Sequence, residues 1–191
     1  MSKSCSKMTI LLGIDMRIMR MNYDDLTKGG GEAKLHVYGV GTFPVFSGSK
    51  PYTNDPNCAY QVNSSIPVGR YWIVDRPEGS LANQVRAWAW DRISGNRHDQ
   101  WFGLFSDNSM SDSVFVHGVS RGSFRLHPVR PDGSGISQGC ITFFKPSDFQ
   151  AVRRAILATK KTVLRRGSLT ISVYGRVDVM GASDFDNCKI R

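Results

Sequence analysis

Residues 133–141 read Gly-Ser-Gly-Ile-Ser-Gln-Gly-Cys-Ile, and the interpretation of the chain depends on this stretch. His127 lies thirteen residues before Cys140. A thiol that follows a glycine and lies downstream of a histidine has what a cysteine nucleophile needs. The glycine leaves room for a substrate carbonyl, and the histidine accepts the thiol proton. The backbone N–H groups of Gly139 and Cys140 can receive the charge that develops on the carbonyl oxygen.

Each of these residues also has a simpler interpretation. Free cysteine is among the most buried residue types, so Cys140 taken alone would be structural. His117 is a second candidate base, whereas His36 and His98 have the context of ordinary surface or loop histidines. All four histidines precede Cys140, which excludes the papain-like order of cysteine before histidine. The glycines are not followed by Gly-Lys-Ser/Thr, which argues against a phosphate-binding loop.

The composition predicts one folded domain of mainly β structure. The chain has 191 residues, 40% of them hydrophobic and 21% charged, enough for a sizeable core. The 19 glycines and 8 prolines favour strands and turns over a helical bundle. We expect residues 1–7 to form a flexible tail and residues 8–191 to form a single catalytic domain.

The hydrophobic pattern predicts a β-rich α+β fold, with antiparallel sheets and one substantial helix after Cys140. In the helix, Ser147 and Gln150 resemble a capping box, hydrophobic residues recur at helical spacing up to Val163, and Gly167 ends the pattern. Enrichment in β-branched and aromatic residues predicts the strands. They are expected within residues 8–22, 35–38, 42–46, 66–75, 85–90, 101–105, 113–117, 123–127 and 169–174, with 113–117 paired to 123–127.

Charge and cysteine content narrow the possible partners. The net charge is +9, and the densest basic run, residues 153–166, has the pattern of a solvated helix face. No nucleic-acid motif accompanies it, and an anionic wall polymer would attract the same charge. The four cysteines contain no C-x-x-C pair, so we expect neither a zinc site nor another cofactor. Whether Cys58 pairs with Cys188 stays open.

No stretch is long enough to span a membrane. Residues 8–14 form a short apolar run, but Asp15 and Arg17 interrupt it. We interpret this run as a first strand rather than a secretory signal.

His127 together with residues 137–141 resembles the signature of YkuD-type L,D-transpeptidases. In that family a histidine and a variable loop are followed by Ser-His-Gly-Cys-Ile/Val-Arg. Here Gln138 replaces the second histidine and Thr142 replaces the arginine, which the family uses to bind the substrate carboxylate. Arg125 or Arg130 is the hypothetical substitute.

A narrower branch of this family is similar to the chain at both of these positions, Gln138 and Thr142. Residues 124–128 and 135–142 resemble type VI secretion L,D-transpeptidase effectors, and segments within 39–47, 66–76 and 101–104 are similar in the same order. The resemblance covers roughly residues 35–150. It implies a YkuD-like catalytic domain that is made in the cytoplasm without a secretory signal and injected into a neighbouring bacterium. There it would act on periplasmic peptidoglycan, cleaving the meso-diaminopimelate–D-Ala bond of tetrapeptide stems or exchanging the D-Ala.

This resemblance implies roles for particular residues. Cys140 would be the nucleophile and His127 the base, with Ser137, Gln138 and Gly139 in the oxyanion loop and Arg125, Arg130 and Thr142 near the substrate. The implied partners are peptidoglycan stems, a component of the secretion apparatus and a cognate immunity protein, with no nucleic acid. The alternatives are a housekeeping cross-linking transpeptidase and a non-enzymatic basic protein that binds wall or nucleic acid.

Overall fold

The computed structural model describes residues 16–26, 31–76, 98–130 and 137–189. It confirms the mainly β, α+β fold with one substantial helix after Cys140. The strands are β1 (Arg17–Asn22), β2 (Ala33–Val37), β3 (Gly41–Ser47), β4 (Gly69–Asp75), β5 (Phe102–Ser106), β6 (Ser113–Val116), β7 (Val119–Gly122), β8 (Arg125–Pro128), β9 (Ile141–Phe143), β10 (Thr162–Arg166), β11 (Leu169–Val173) and β12 (Gly175–Met180). Helix α1 is Pro146–Leu157, and short 3-10 turns cover Tyr23–Asp25, Pro56–Cys58, His98–Gln100 and Phe185–Asn187.

Eight of these strands close into a barrel in the order β1-β12-β4-β5-β8-β9-β3-β2. Most neighbours are antiparallel, as predicted, but β1 pairs with β12 and β8 pairs with β9 in parallel. The other strands form two hairpins, β6–β7 and β10–β11. Because β8 and β9 are parallel neighbours, the strand that carries His127 lies beside the strand that begins after Cys140.

The barrel interior is filled by side chains from alternating strand positions. Leu126, Ile141 and Phe143 are fully buried and belong to the main hydrophobic cluster. His127 and Thr142 alternate with them, so they project from the opposite face of β8 and β9. Burying each large apolar side chain contributes about 1.5–3 kcal/mol. The core therefore fixes which way the polar residues of β8 and β9 point.

Helix α1 begins differently from the prediction. Its N-cap is Lys145, no side chain caps it, and Pro146 occupies the first turn. Proline suits that position because its missing N–H would have no partner inside the helix. Ser147 therefore makes no capping box, and the Gln150 amide instead donates to the side chain of Gln100 at 2.7 Å.

The helix also ends earlier than predicted. Phe149, Val152 and Ile156 are buried as expected, but α1 stops at Leu157. Val163 lies on β10, and Gly167, with φ of +57°, forms the turn between β10 and β11. The prediction that Gly167 ends the helix is therefore wrong, because this glycine turns a hairpin between two strands.

The predicted pairing of residues 113–117 with 123–127 is wrong. β6 pairs with β7, which the sequence pattern missed, while β8 pairs with β5 and β9. His117 and Gly118 take positive φ values of +44° and +80° at the two-residue turn of the β6–β7 hairpin.

The expected strand at 85–90, the expected tail at 1–7 and the first half of the 8–22 strand lie outside the described residues. Among the described residues, no helix has the length and apolarity needed to cross a membrane.

Candidate active site

The parallel pairing of β8 with β9 brings the two principal candidates to neighbouring segments of the barrel. His127 lies directly opposite Thr142 in the ladder, and Leu126 lies opposite Ile141. Cys140 precedes β9 by one residue, in line with Arg125. Paired residues project to the same side of a ladder, so Thr142 points to the side on which His127 lies, and Cys140 comes two residues before Thr142, just outside the strand. The ladder therefore makes Cys140 and His127 diagonal neighbours.

The imidazole of His127 is held on three sides. The ring is only 6% exposed and stacks on Trp101 with centroids 4.1 Å apart and planes 16° apart. Nδ1 lies 2.7 Å from the carbonyl oxygen of Pro128, and Nε2 lies 3.3 Å from the hydroxyl of Thr142. A carbonyl only accepts hydrogen bonds, so Nδ1 carries the proton of the neutral ring. Nε2 is then the basic nitrogen.

The thiol of Cys140 is buried and protonated at neutral pH. Burial raises its pKa to about 11, although a backbone hydrogen bond from Arg125 and the positive charges of Arg125 and Arg121 oppose that rise. The negative charge of Asp112 adds to it. The thiol points towards the carbonyl of Ser123, with the sulfur 3.9 Å from the oxygen. A thiol with such a pKa would need a base to act as a nucleophile at neutral pH.

Ser137 braces the loop that leads into Cys140. Its hydroxyl is buried, donates to the carbonyl of Cys140 at 2.9 Å and accepts the backbone N–H of Gly48 at 3.3 Å. The hydroxyl of Ser49 bonds both backbone groups of Ser137, at 2.8 and 3.1 Å. The hydroxyl of Ser47 donates to the carbonyl of Gly139 at 3.3 Å. The end of β3 thus fixes the backbone on both sides of Gln138.

Gly139 occupies a position that only glycine fits. Its φ is +102°, and a Cβ there would lie 2.7 Å from Nη2 of Arg121 and 2.7 Å from a ring carbon of Phe124. The neighbouring Gln138 has an exposed side chain, whereas its carbonyl accepts a hydrogen bond from Arg121 at 3.1 Å. The loop therefore turns its backbone inward and its one long side chain outward.

The two arginines expected near the substrate differ in their surroundings. Arg125 forms a two-pronged ion pair with Asp112, at 2.7 and 2.8 Å, and its side chain is only 14% exposed. Arg130 is exposed to solvent two residues after β8. The positive charge of Arg125 is thus largely balanced by Asp112.

His117, the second candidate base, packs in an aromatic cluster. Its ring centroid lies 4.9 Å from that of Tyr60 and 5.1 Å from that of Phe185. A disulfide between Cys58 and Cys188 joins the segments that carry these two rings, which answers the question the sequence left open. His117 therefore has a packing role at the tip of the β6–β7 hairpin.

Sequence reasoning missed four residues that support the site: Ser47, Ser49, Trp101 and Arg121. Ser47 and Trp101 lie in segments that carried the family resemblance, so a signal for them was present. Ser49 and Arg121 belong to no motif. Arg121 acts on backbone carbonyls, which have no sequence signature.

The fold and the site together define a mainly β barrel protein in which a histidine lies on one strand and a buried cysteine directly precedes the parallel strand beside it. A family model described as the Tlde1 domain matches residues 41–167. The chain therefore belongs to the Tlde1 domain family, which by name is a family of type VI secretion L,D-transpeptidase effectors. The match includes both His127 and Cys140. No curated protein matches the chain.

Proposed function

We propose that this protein is a cysteine-dependent L,D-carboxypeptidase and L,D-transpeptidase that acts on peptidoglycan tetrapeptide stems. The observation that carries the proposal is the β8–β9 register, which pairs His127 with Thr142, two residues after Cys140. The bond attacked is the one between meso-diaminopimelate and the terminal D-Ala. Family membership supports the reaction class, and the site supplies a nucleophile, a base and a braced loop.

In the first step, Nε2 of His127 takes the proton of the Cys140 thiol, and the sulfur attacks the carbonyl carbon of the stem peptide bond. The backbone N–H groups of Gly139 and Cys140 bind the resulting oxyanion, a contact for which one donor is typically worth roughly 3 kcal/mol. The protonated His127 then donates its proton to the amine of the departing D-Ala. The C–N bond breaks, and a thioester joins the stem to Cys140.

The nucleophile that resolves the thioester determines the product. When water attacks, His127 accepts its proton, the thiol is restored and a tripeptide stem leaves, which is carboxypeptidase action. When the amine of another D-amino acid attacks, that residue replaces the D-Ala. The Pro128 carbonyl and the Trp101 ring keep the imidazole aligned through both halves of the reaction.

The proposal extends to the setting in which the enzyme acts. The net charge of +9 suits an anionic wall polymer, and the family name denotes effectors of type VI secretion. We propose that the protein is injected into a neighbouring bacterium, acts in its periplasm, and is neutralised in the producer by a cognate immunity protein.

The decisive experiment incubates purified protein with disaccharide tetrapeptide, with and without a second D-amino acid, and weighs the products by mass spectrometry. Loss of one D-Ala, or its exchange, is expected for the wild type. Cys140→Ala and His127→Ala should both be inactive while remaining folded. His117→Ala is the matched control and should remain active.

Two outcomes would contradict the proposal. Full activity of the Cys140→Ala variant would exclude the nucleophile. An unchanged stem mass together with salt-sensitive binding to wall or nucleic acid would favour a non-enzymatic basic binding protein.

A further inference from the structure

Arg121 on β7 is a buried cation that lies against the loop carrying Cys140. The residue is 8% exposed. Nη1 donates to the carbonyls of Ala59 and Ser65 and to the hydroxyl of Ser64, and Nη2 donates to the carbonyls of Ser64 and Gln138. Its guanidinium thus joins the segment 59–65 to the residue two places before Cys140.

No acceptor of Arg121 within the described part of the chain carries a negative charge. A buried ion without a counter-charge is costly, and burial accordingly lowers the pKa of Arg121. The phenols of Tyr23 and Tyr71 stay neutral, because burial raises the pKa of both. The Phe124 ring, with its centroid 5.3 Å from the guanidinium carbon, offers only a weak cation–π contact. The anion that Arg121 can stabilise is therefore the Cys140 thiolate.

The other described groups whose charges act on Cys140 are Arg125 and Asp112, and His127 lies on the neighbouring strand. Arg125 and Asp112 form an ion pair, and their charges act on the thiol in opposite directions. His127 takes up the thiol proton in the proposed reaction. Arg121 is thus the one described cation near Cys140 that no carboxylate balances.

We infer that Arg121 is a positioning residue of the proposed acyl-transfer reaction. Its charge stabilises the Cys140 thiolate, and its planar fork holds Gln138 and Gly139 in the conformation that aims the backbone N–H groups at the oxyanion. The inference rests on the proposed function, in which the Cys140 thiolate is the form that attacks the stem. A lysine at this position would keep the charge, but its ammonium group lacks the planar set of N–H donors with which the guanidinium binds several carbonyls.

The test measures alkylation of Cys140 by iodoacetamide as a function of pH, in a Cys5→Ser background that leaves Cys140 as the free thiol. Arg121→Met should raise the pH midpoint of alkylation by about one unit, because an opposite charge nearby is lost. Arg121→Lys should keep the midpoint near that of the parent. Its kcat on disaccharide tetrapeptide should nevertheless fall at least about tenfold with little change in KM, because the loop loses the guanidinium that holds its backbone.

Tyr23→Phe is the matched control for stability. It removes the buried hydrogen bond from the Tyr23 hydroxyl to the carbonyl of Ile66, at 2.8 Å, without changing a charge. Its melting temperature should fall while the alkylation midpoint stays constant. An equal midpoint shift in Tyr23→Phe and Arg121→Met, or an unchanged midpoint in folded Arg121→Met, would overturn the electrostatic role.

Arg121→Lys keeps the inference testable if Arg121→Met does not fold. Wild-type kcat in the lysine variant would overturn the positioning role. The alkylation assay needs no substrate, so it separates this inference from the proposed function. If the wild-type protein leaves stems intact but Arg121→Met still shifts the pH midpoint of alkylation, the proposed acyl-transfer reaction is refuted. The stabilisation of the Cys140 thiolate by Arg121 would still hold.

Discussion

The indole of Trp101 and the imidazole of His127 stack almost face to face, with centroids 4.1 Å apart and planes 16° apart. Trp101 lies just before β5, which pairs with β8, so the barrel itself brings the two rings together. The stack leaves the imidazole only its edge for hydrogen bonding. Both ring nitrogens accordingly meet their partners, Pro128 and Thr142, along that edge.

Removing the stack should slow catalysis without abolishing it. An aromatic pair is worth about 0.5–1.5 kcal/mol beyond its buried area. Trp101→Ala should therefore lower kcat on disaccharide tetrapeptide by about 2- to 12-fold. Trp101→Phe keeps an aromatic face and should retain most of the activity. If the alanine and phenylalanine variants lose kcat equally, the stack does not position His127.

The buried thiol of Cys140 should make the folded state less stable at alkaline pH. Its pKa is about 11 in the fold, against 9.0 for the unperturbed thiol, so between these values the folded state binds more protons than the unfolded state. Stability that is present below pH 9 is then lost as the pH rises, by about 2 kcal/mol at pH 11.

Urea denaturation of the Cys5→Ser parent and of its Cys140→Ala derivative between pH 8 and pH 11 tests this expectation. The two tyrosines with raised pKa values titrate in both proteins, so their effect cancels in the difference. A constant difference in unfolding free energy across this range would show that Cys140 is not desolvated.

Gly139 should be far less tolerant of a side chain than Gly118, although both have positive φ. A Cβ at Gly118 meets nothing within 4 Å, so Gly118→Ala should cost only about 1 kcal/mol of backbone strain. A Cβ at Gly139 meets both Arg121 and Phe124, so Gly139→Ala must also displace the loop. We expect it to remove at least about 90% of kcat, whereas Gly118→Ala stays active. Comparable activity of the two variants would contradict the tight packing of the loop.

The Cys58–Cys188 disulfide should contribute substantially to stability. It closes a separation of 130 residues and ties the C-terminal segment to the 3-10 turn next to Ala59, whose carbonyl accepts from Arg121. Cys188→Ser should therefore cost about 2–5 kcal/mol of unfolding free energy. Wild-type protein in reducing agent should unfold like Cys188→Ser, and Cys5→Ser should unfold like the oxidised wild type. No effect of reducing agent on the wild type would show that the bond does not form in solution.

Local patterns predicted six of the eight barrel strands, all except β9 and β12, and they predicted the buried face of α1. Phe149, Val152 and Ile156 were identified because a helix against a core repeats its apolar residues every three or four positions. Gly167 was misassigned because a positive-φ glycine ends a helix and turns a hairpin equally well. The predicted strand pairing was wrong where the partner of a strand depends on closure of the barrel. β8 joins β5 and β9 rather than the strand before it, and nothing local specifies that choice.

The candidate site was predictable to the extent that its chemistry lies in side chains. Cys140 and His127 carry distinctive groups in a distinctive order, and they remain the proposed nucleophile and base. Arg121 could not be found in this way, because its partners, apart from the hydroxyl of Ser64, are backbone carbonyls of residues 59, 64, 65 and 138. Any residue presents such a carbonyl, so only the folded chain shows that these groups converge.

In the proposed reaction the carboxylate of the terminal D-Ala needs a cation, and we expect Arg130 rather than Arg125 to provide it. Arg125 is held by both oxygens of Asp112, so binding a second carboxylate would require that ion pair to break. Arg130 is exposed, two residues beyond β8 and three beyond His127. Arg130→Gln should therefore raise KM for disaccharide tetrapeptide several-fold with little effect on kcat, since it removes binding common to ground and transition states.

Arg125→Gln provides the contrast in the same assay. It leaves Asp112 unpaired beside Cys140, so its main effect should be a higher thiol pKa and a lower kcat. A KM effect confined to Arg125→Gln would reassign the carboxylate to Arg125 and would mean that Asp112 releases it when substrate binds. Because each variant removes one positive charge, one from the start of β8 and one from beyond its end, their difference separates the geometry of the anchor from the overall positive charge of the protein.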